Sequence, residues 1–212
     1  MSGQPDQLAQ LKSRIDARLT ARTRSLVAPL RCRIAQHHAK DDLEARSLSY
    51  QPVEIGLRWG PVWSIAWFRL TASLTTTTKP LHLRFSSGTE ATLWHNGAPI
   101  HGLDVNHTLI PLDITSPNIE LFIEAACNRP LGATTFFWDD PAEHARWKEE
   151  LPGRLDFAEL VRVNPAWRSL DIAARFALAL LSLNDLDSSR RAAIHAALHE
   201  TLDAASTADS DD

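Results

Sequence analysis

The sequence predicts a mostly β fold with appended α-helices, and three observations carry that expectation. Between about residues 51 and 138, short runs alternate apolar and polar side chains, the period of a half-buried strand. Turn residues punctuate those runs, above all Asn96-Gly97, a dipeptide that favours a tight hairpin. Outside that region the apolar period lengthens to that of an amphipathic helix.

Taken in order, residues 5–24 put Leu8, Leu11, Ile15 and Leu19 on one stripe, which predicts a helix. Residues 25–50 contain Pro29 and only a weak alternation at Arg31–Ala35, which predicts loop with one strand. Strands are expected at 51–57, 63–74, 80–86, 90–95, 107–112, 118–127 and 133–138. Leu81, Leu83 and Phe85 oppose His82, Arg84 and Ser86, and Leu121, Ile123 and Ala125 oppose Phe122, Glu124 and Ala126. Seven short strands with turns between them predict a β-sandwich of the jelly-roll or galactose-binding-like kind. From about 139 the pattern turns helical. Asp140-Pro141-Ala142-Glu143 has the order of a helix start, and Pro152-Gly153 that of its end. Further helices are expected from 156 to 163, past Pro165 to about 183, and from Ser189 to about Ala205. The expected divisions are an N-terminal helix at 1–24, the sandwich at 25–138, a helical segment at 139–205 and a disordered acidic tail at 206–212.

With 212 residues, 44% of them hydrophobic and 23% charged, the chain is long enough to bury a sizeable core. Its net charge of -4 argues against a nucleic-acid surface, which is normally basic. No apolar run reaches bilayer length; Phe176–Leu183 reads as a buried helix face. Met1–Gln10 is polar and has no secretory apolar core, so a cytoplasmic chain is expected. Cys32 and Cys127 read as buried thiols of a reducing compartment, and two cysteines provide no zinc spacing.

Trp59–Leu70, W-G-P-V-W-S-I-A-W-F-R-L, holds three of the seven tryptophans. On a strand starting near Trp63, the residues Trp63, Ile65 and Trp67 would share a face with Arg69. Such a face either packs a core or offers sugar rings a stacking platform, with Trp94 and Trp138 as further members. Asp140, Glu143 and His144 could also hold a metal as helical neighbours, although helix capping already explains the first two. His195 and His199 lie one turn apart, but Ala196 stands where a metalloprotease carries Glu. Of the β-region carboxylates Glu54, Glu90, Asp104, Asp113, Glu120 and Glu124, the last sits in an apolar strand and needs a partner, for which an arginine is the natural choice. No nucleophile elbow and no glycine-rich phosphate loop occur.

The order of these words resembles a known family. W-G-P-V-W-S-I-A-W-F-R-L is followed by L-H-L-R-F-S-S-G-T-E-A-T-L-W-H-N-G-A-P-I-H-G-L-D and then by I-E-L-F-I-E-A-A-C-N-R-P-L-G. This is similar to the N-terminal, non-catalytic domain of class II alpha-mannosidases, glycoside hydrolase family 38, of the cytosolic and vacuolar branch. The later stretch L-D-F-A-E-L-V-R-V-N-P-A-W-R-S-L-D-I resembles the helical segment leading to the family's catalytic barrel. Ile65-Ala66 departs from the family, which tends to carry Thr there. The family's catalytic domain opens with a His-x-Asp zinc motif and carries an Asp nucleophile. This sequence contains no His-x-Asp, so no catalytic or zinc-binding residue carries over, and zinc would belong to the catalytic domain that the chain lacks. The resemblance implies an accessory domain whose partner is an alpha-mannosidase catalytic chain or a second copy of itself. A stand-alone module binding a mannose-containing glycan through Trp63, Trp67, Trp94 and Trp138 is one alternative. A small metal-dependent hydrolase is another.

Overall fold

A computed structural model describes residues 4–75, 80–114, 116–128 and 151–207. The chain divides into two compact units, Leu26–Val161 and the pair Met1–Ser25 with Arg162–Asp212. The described strands are β1 (Arg24–Pro29), β2 (Arg31–Ala35), β3 (Gln51–Val53), β4 (Arg58–Trp59), β5 (Ile65–Ser73), β6 (Leu81–Ser86), β7 (Glu90–His95), β8 (Ala98–Leu103), β9 (Leu109–Leu112), β10 (Asn118–Ala126), β11 (Gly153–Arg154) and β12 (Phe157–Val163). They form a six-stranded sheet in the order β3-β2-β5-β10-β7-β8, a four-stranded sheet in the order β1-β12-β6-β9, and the small pair β11-β4. This is the expected sandwich.

Period-two alternation explains the core. From the six-stranded sheet, Cys32, Ile34, Ala66, Phe68, Leu70, Leu93, Leu121, Ile123 and Ala125 turn inward. From the four-stranded sheet they meet Leu81, Leu83, Phe85, Ile110, Leu112, Ala158 and Leu160. Register holds the pattern: Leu70 lies opposite Leu121, and Phe68 opposite Ile123. A one-residue slip would turn every one of these side chains outward. Burial pushes the Cys32 thiol up to about 11 and raises that of Cys127 as well; both cysteines are free and buried.

Trp59 occupies the middle of this core. Its ring meets Phe68 edge-on with centroids 5.7 Å apart, and Phe68 meets Phe85 at 5.5 Å. The buried indole N–H donates to the Ser87 carbonyl at 3.0 Å, which satisfies the one polar atom of the side chain. Gly153 pairs with Trp59 across β4-β11. A Cβ at Gly153 would sit well inside van der Waals contact with the Trp59 ring, so only glycine lets the two backbones approach.

The other face of the six-stranded sheet carries a second, smaller core. Ala35, Ala39, Ala45, Tyr50, Trp67 and Phe122 cluster there, with Leu48, Ile65 and Trp94 packed against them. Its cover is the segment after β2, which holds the short helix α2 (Asp42–Ala45). Asp41 caps that helix by accepting from the Glu44 N–H at 2.9 Å, and the Glu44 carboxylate reaches back to the Lys40 N–H. Asp42 is buried and pins the β7-β8 hairpin. Its Oδ1 accepts from the Gly97 N–H at 2.6 Å and its Oδ2 from the Asn96 N–H at 3.1 Å. Asn96 and Gly97 both have positive φ, 51° and 81°, as a two-residue hairpin turn matched to strand twist requires.

In the other unit, α1 (Gln4–Arg18), α3 (Pro165–Leu181) and α4 (Ser188–Thr207) bury Leu11, Ile15, Leu19, Ala174, Leu181, Leu198 and Leu202 together. Arg14, Arg18 and Arg22, four apart, all reach α4. Arg14 meets His199, while Arg18 and Arg22 donate to the Leu202 and Ala205 carbonyls near its C-terminus. Arg175 of α3 donates to Asp16, Thr20 and Asp171. Hydrogen bonds from Lys12 and then Arg175 hold the Asp16 carboxyl below the ordinary carboxylate range.

Several sequence expectations are corrected. Residues 157–163, expected as helix, are β12, paired antiparallel with β6. The apolar run is too short to distinguish the two periods, and its valines fit the sandwich; Glu159 pairs with Arg84 at 3.0 Å. Residues 25–50 hold two strands and a helix rather than one strand. The 51–57 strand is broken by a turn in which the Leu57 N–H donates to the Glu54 carbonyl. The helix expected over 5–24 ends at Arg18, and β1 begins at Arg24. Ser206 and Thr207, expected in the tail, close α4. The strand expected at 133–138 and the helix start at Asp140 lie outside the described residues.

Two stability outcomes are expected. Gly153→Ala forces the Trp59 ring to move and should cost roughly 1–3 kcal/mol in chemical denaturation, the range of core overpacking. Asp42→Ala strands two hairpin N–H groups and should cost roughly 1–3 kcal/mol, with hydrogen exchange at Asn96 and Gly97 accelerating selectively.

Candidate functional site

The Trp59–Leu70 stretch is buried on both sides of its strand. Ala66, Phe68 and Leu70 enter the sandwich core, while Trp67 points the opposite way and is 0% exposed beneath the α2 segment. Its ring lies 5.9 Å from that of Trp94. A fully covered ring presents no face to a sugar. Trp63 is 54% exposed, but it is not on the strand. Its φ of 68° places it in a turn closed by the Ser64 N–H donating to the Pro61 carbonyl, and β5 begins two residues later. The shared face expected for Trp63 and Trp67 is therefore not formed. Trp138 and the metal candidates Asp140, Glu143 and His144 lie outside the described residues.

Glu124 does have a partner, and it is an indole rather than a guanidinium. Trp94 Nε1 donates to Glu124 Oε2 at 3.1 Å. The carboxylate and the tryptophan sit on adjacent strands, β10 and β7, and share the outer face. Glu120 is held by two arginines: Arg69 donates to its Oε1 through Nε at 2.8 Å, and Arg46 to its Oε2 at 3.0 Å. Asp104 accepts from the His107 and Asn106 backbones, and its carboxyl lies below the ordinary range because His107, side chain first, bonds to its charged form. Glu90 accepts from Asn128. Each of these carboxylates has a structural partner.

His195 and His199 stack with centroids 4.9 Å apart. His199 Nδ1 lies 2.7 Å from Arg14 Nη1. A guanidinium can only donate, so Nδ1 is the acceptor and the ring proton sits on Nε2. Neither nitrogen of His199 is then left bare for a metal. Among the described residues no group of three or more His, Cys, Asp or Glu could hold a metal ion.

The sequence reading missed the uncovered half of that outer face. Beyond the α2 cover, Arg31 of β2, Thr71 and Ser73 of β5, and Asn118 and Glu120 of β10 line an open groove of about 770 Å³. Register aligns them: Arg31 lies opposite Thr71, Thr71 opposite Glu120, and Ser73 opposite Asn118. Odd-numbered residues on β5 and even-numbered ones on β10 face the same way, a parity signal that the tryptophans overshadowed.

Among known protein families, residues 29–149 match the alpha-mannosidase jelly roll domain. Human alpha-mannosidase 2C1 is 30% identical over 99 residues, covering 42% of this chain and 10% of that protein. Alpha-mannosidase G of Dictyostelium discoideum is 31% identical over 99 residues, covering 42% of this chain and 9% of that protein. The chain thus spans about a tenth of the length of the curated relatives it matches. No described helix is long and apolar enough to cross a membrane.

Glu124→Gln keeps an acceptor for the Trp94 indole and should shift stability by less than about 1 kcal/mol. Glu124→Leu removes it and should cost roughly 1–3 kcal/mol in urea unfolding.

Proposed function

Since the chain belongs to the alpha-mannosidase jelly roll domain family, we propose that it acts as the accessory, non-catalytic sandwich of an alpha-mannosidase-type glycoside hydrolase. Its work is assembly: it packs against a mannosidase catalytic polypeptide in the cytoplasm. Zinc and the nucleophile belong to that polypeptide. The observation that carries this reading is the family match over residues 29–149, the stretch that holds most of the sandwich.

The helical unit supports it with a surface suited to a partner. Ile172 and Phe176, 57% and 66% exposed, lie one turn apart on one side of α3, opposite the buried Asp171, Ala174 and Leu181. Helical spacing gathers the two into one exposed apolar patch, the kind of feature that marks a protein interface.

The purified chain is expected not to hydrolyse a nitrophenyl mannoside, with or without added zinc, and to co-purify with a mannosidase catalytic polypeptide expressed beside it. Phe176→Asp should weaken that association about tenfold or more. Because Phe176 is exposed, the same substitution should leave unfolding within about 0.5 kcal/mol. Zinc-dependent turnover by the chain alone would overturn the reading.

A second reading, a module that binds a mannose-containing glycan, is favoured by the exposure of the Trp63 ring.

A further inference from the structure

We propose that the open groove lined by β1, β2, β5 and β10 is a binding site for a neutral saccharide. This rests on the glycan-binding reading but moves the site from the tryptophans to β2, β5 and β10. The groove's volume, about 770 Å³, falls within the range of small-molecule sites.

The floor is built before any ligand arrives. Its polar side chains rise from three hydrogen-bonded strands, so their spacing is set by the sheet: about 4.8 Å between strands and about 6.8 Å along one. That is the scale of the hydroxyls around a pyranose ring. Glu120 is locked by Arg69 and Arg46, which fixes its carboxylate without removing all its acceptor capacity. Ser73 donates to Asn118 Oδ1 at 3.0 Å, which leaves the Asn118 amide hydrogens to donate elsewhere. Thr71 is half-buried, and neither its hydroxyl nor the Arg31 guanidinium makes a hydrogen bond among the described residues. Thr71, Arg31 and Leu30 also line an adjoining groove of about 450 Å³ bounded by Pro52–Ile55, so the site can run on past one sugar ring.

The chemistry of the floor selects the ligand class. Donors and acceptors alternate: guanidinium, hydroxyls, amide and carboxylate. A polyol offers both in the same pattern, whereas a phosphate offers acceptors only and would face Glu120. Among the described lining residues there is no aromatic ring, so a nucleobase has nothing to stack on. Pro29, which is exposed, instead gives a small apolar edge against which the C–H face of a sugar can rest.

The test is amide chemical-shift mapping of the whole chain during titration with an α-linked mannotriose and, separately, with cellotriose. At least one is expected to bind with a Kd of about 1 mM, moving amides of residues 28–31, 71–73 and 118–120. Thr71→Val and Asn118→Ala should each weaken that binding about fivefold to tenfold, one hydrogen bond's worth, while leaving the rest of the spectrum intact. Shifts confined to the Trp63 turn and indifferent to both substitutions would overturn the groove and leave the glycan reading standing. No shift with either sugar would overturn both. Co-purification with a catalytic polypeptide is measured separately, so the accessory reading stands or falls on its own.

Discussion

The packing of Trp59 is the interaction on which the rest of the sandwich depends. One side chain touches Phe68 of the six-stranded sheet, bonds the Ser87 carbonyl between β6 and β7, and closes against Gly153 ahead of β12. The Cys127 thiol donates to the Trp59 carbonyl, and the backbone just beyond runs Trp63 N–H to Cys127 carbonyl and Cys127 N–H to Ser64 carbonyl. Segments far apart in the sequence thus converge on one indole. An aromatic of that size buries enough apolar surface to organise a core, and its single N–H is satisfied, so no polar cost offsets the gain.

The outer face of the same sheet shows how a sandwich strand can be apolar on both sides. Trp67 and Phe122 lie at outward positions, yet Ala39, Ala45 and Tyr50 cover them. Arg46 adds its guanidinium over the Phe122 ring and a hydrogen bond to Glu120. The cover ends at that arginine. Beyond it the face becomes polar, and the groove begins where the second core stops. The Arg46–Glu120–Arg69 cluster thus stands between the cover and the groove, which Ala28 and Pro29 of β1 also line.

Much of the fold was legible in alternation. Leu81-His82-Leu83-Arg84-Phe85 and Leu121–Ala126 identified their strands and inward faces correctly, because each strand has one face on the core. Asn96-Gly97 announced its hairpin by the φ angles it tolerates. The run 157–163 misled because seven residues fit either period, and only pairing with β6 decides between them. The α2 segment was overlooked, although Asp41 and Glu44 stand three apart as capping residues do; a helix of four residues leaves no periodicity to see. The tryptophans attracted attention for their size. What distinguishes Trp63 from Trp67 is a backbone turn and a covering loop, neither of which has a spacing that can be read in the sequence.

By itself the sequence determined the sandwich, its inward residues, the helices that follow Asn164-Pro165, and the kinship with the alpha-mannosidase jelly roll domain. These rest on local period, turn chemistry and word order, which need no partner to be read. Only the tertiary structure decided that Glu124 bonds an indole, that Trp67 is covered, that Asp42 clamps a hairpin 54 residues away, and that Arg31, Thr71 and Asn118 share a groove. Each of these is a meeting of distant segments, set by strand register and by what the chain lays over a sheet after the sheet has formed.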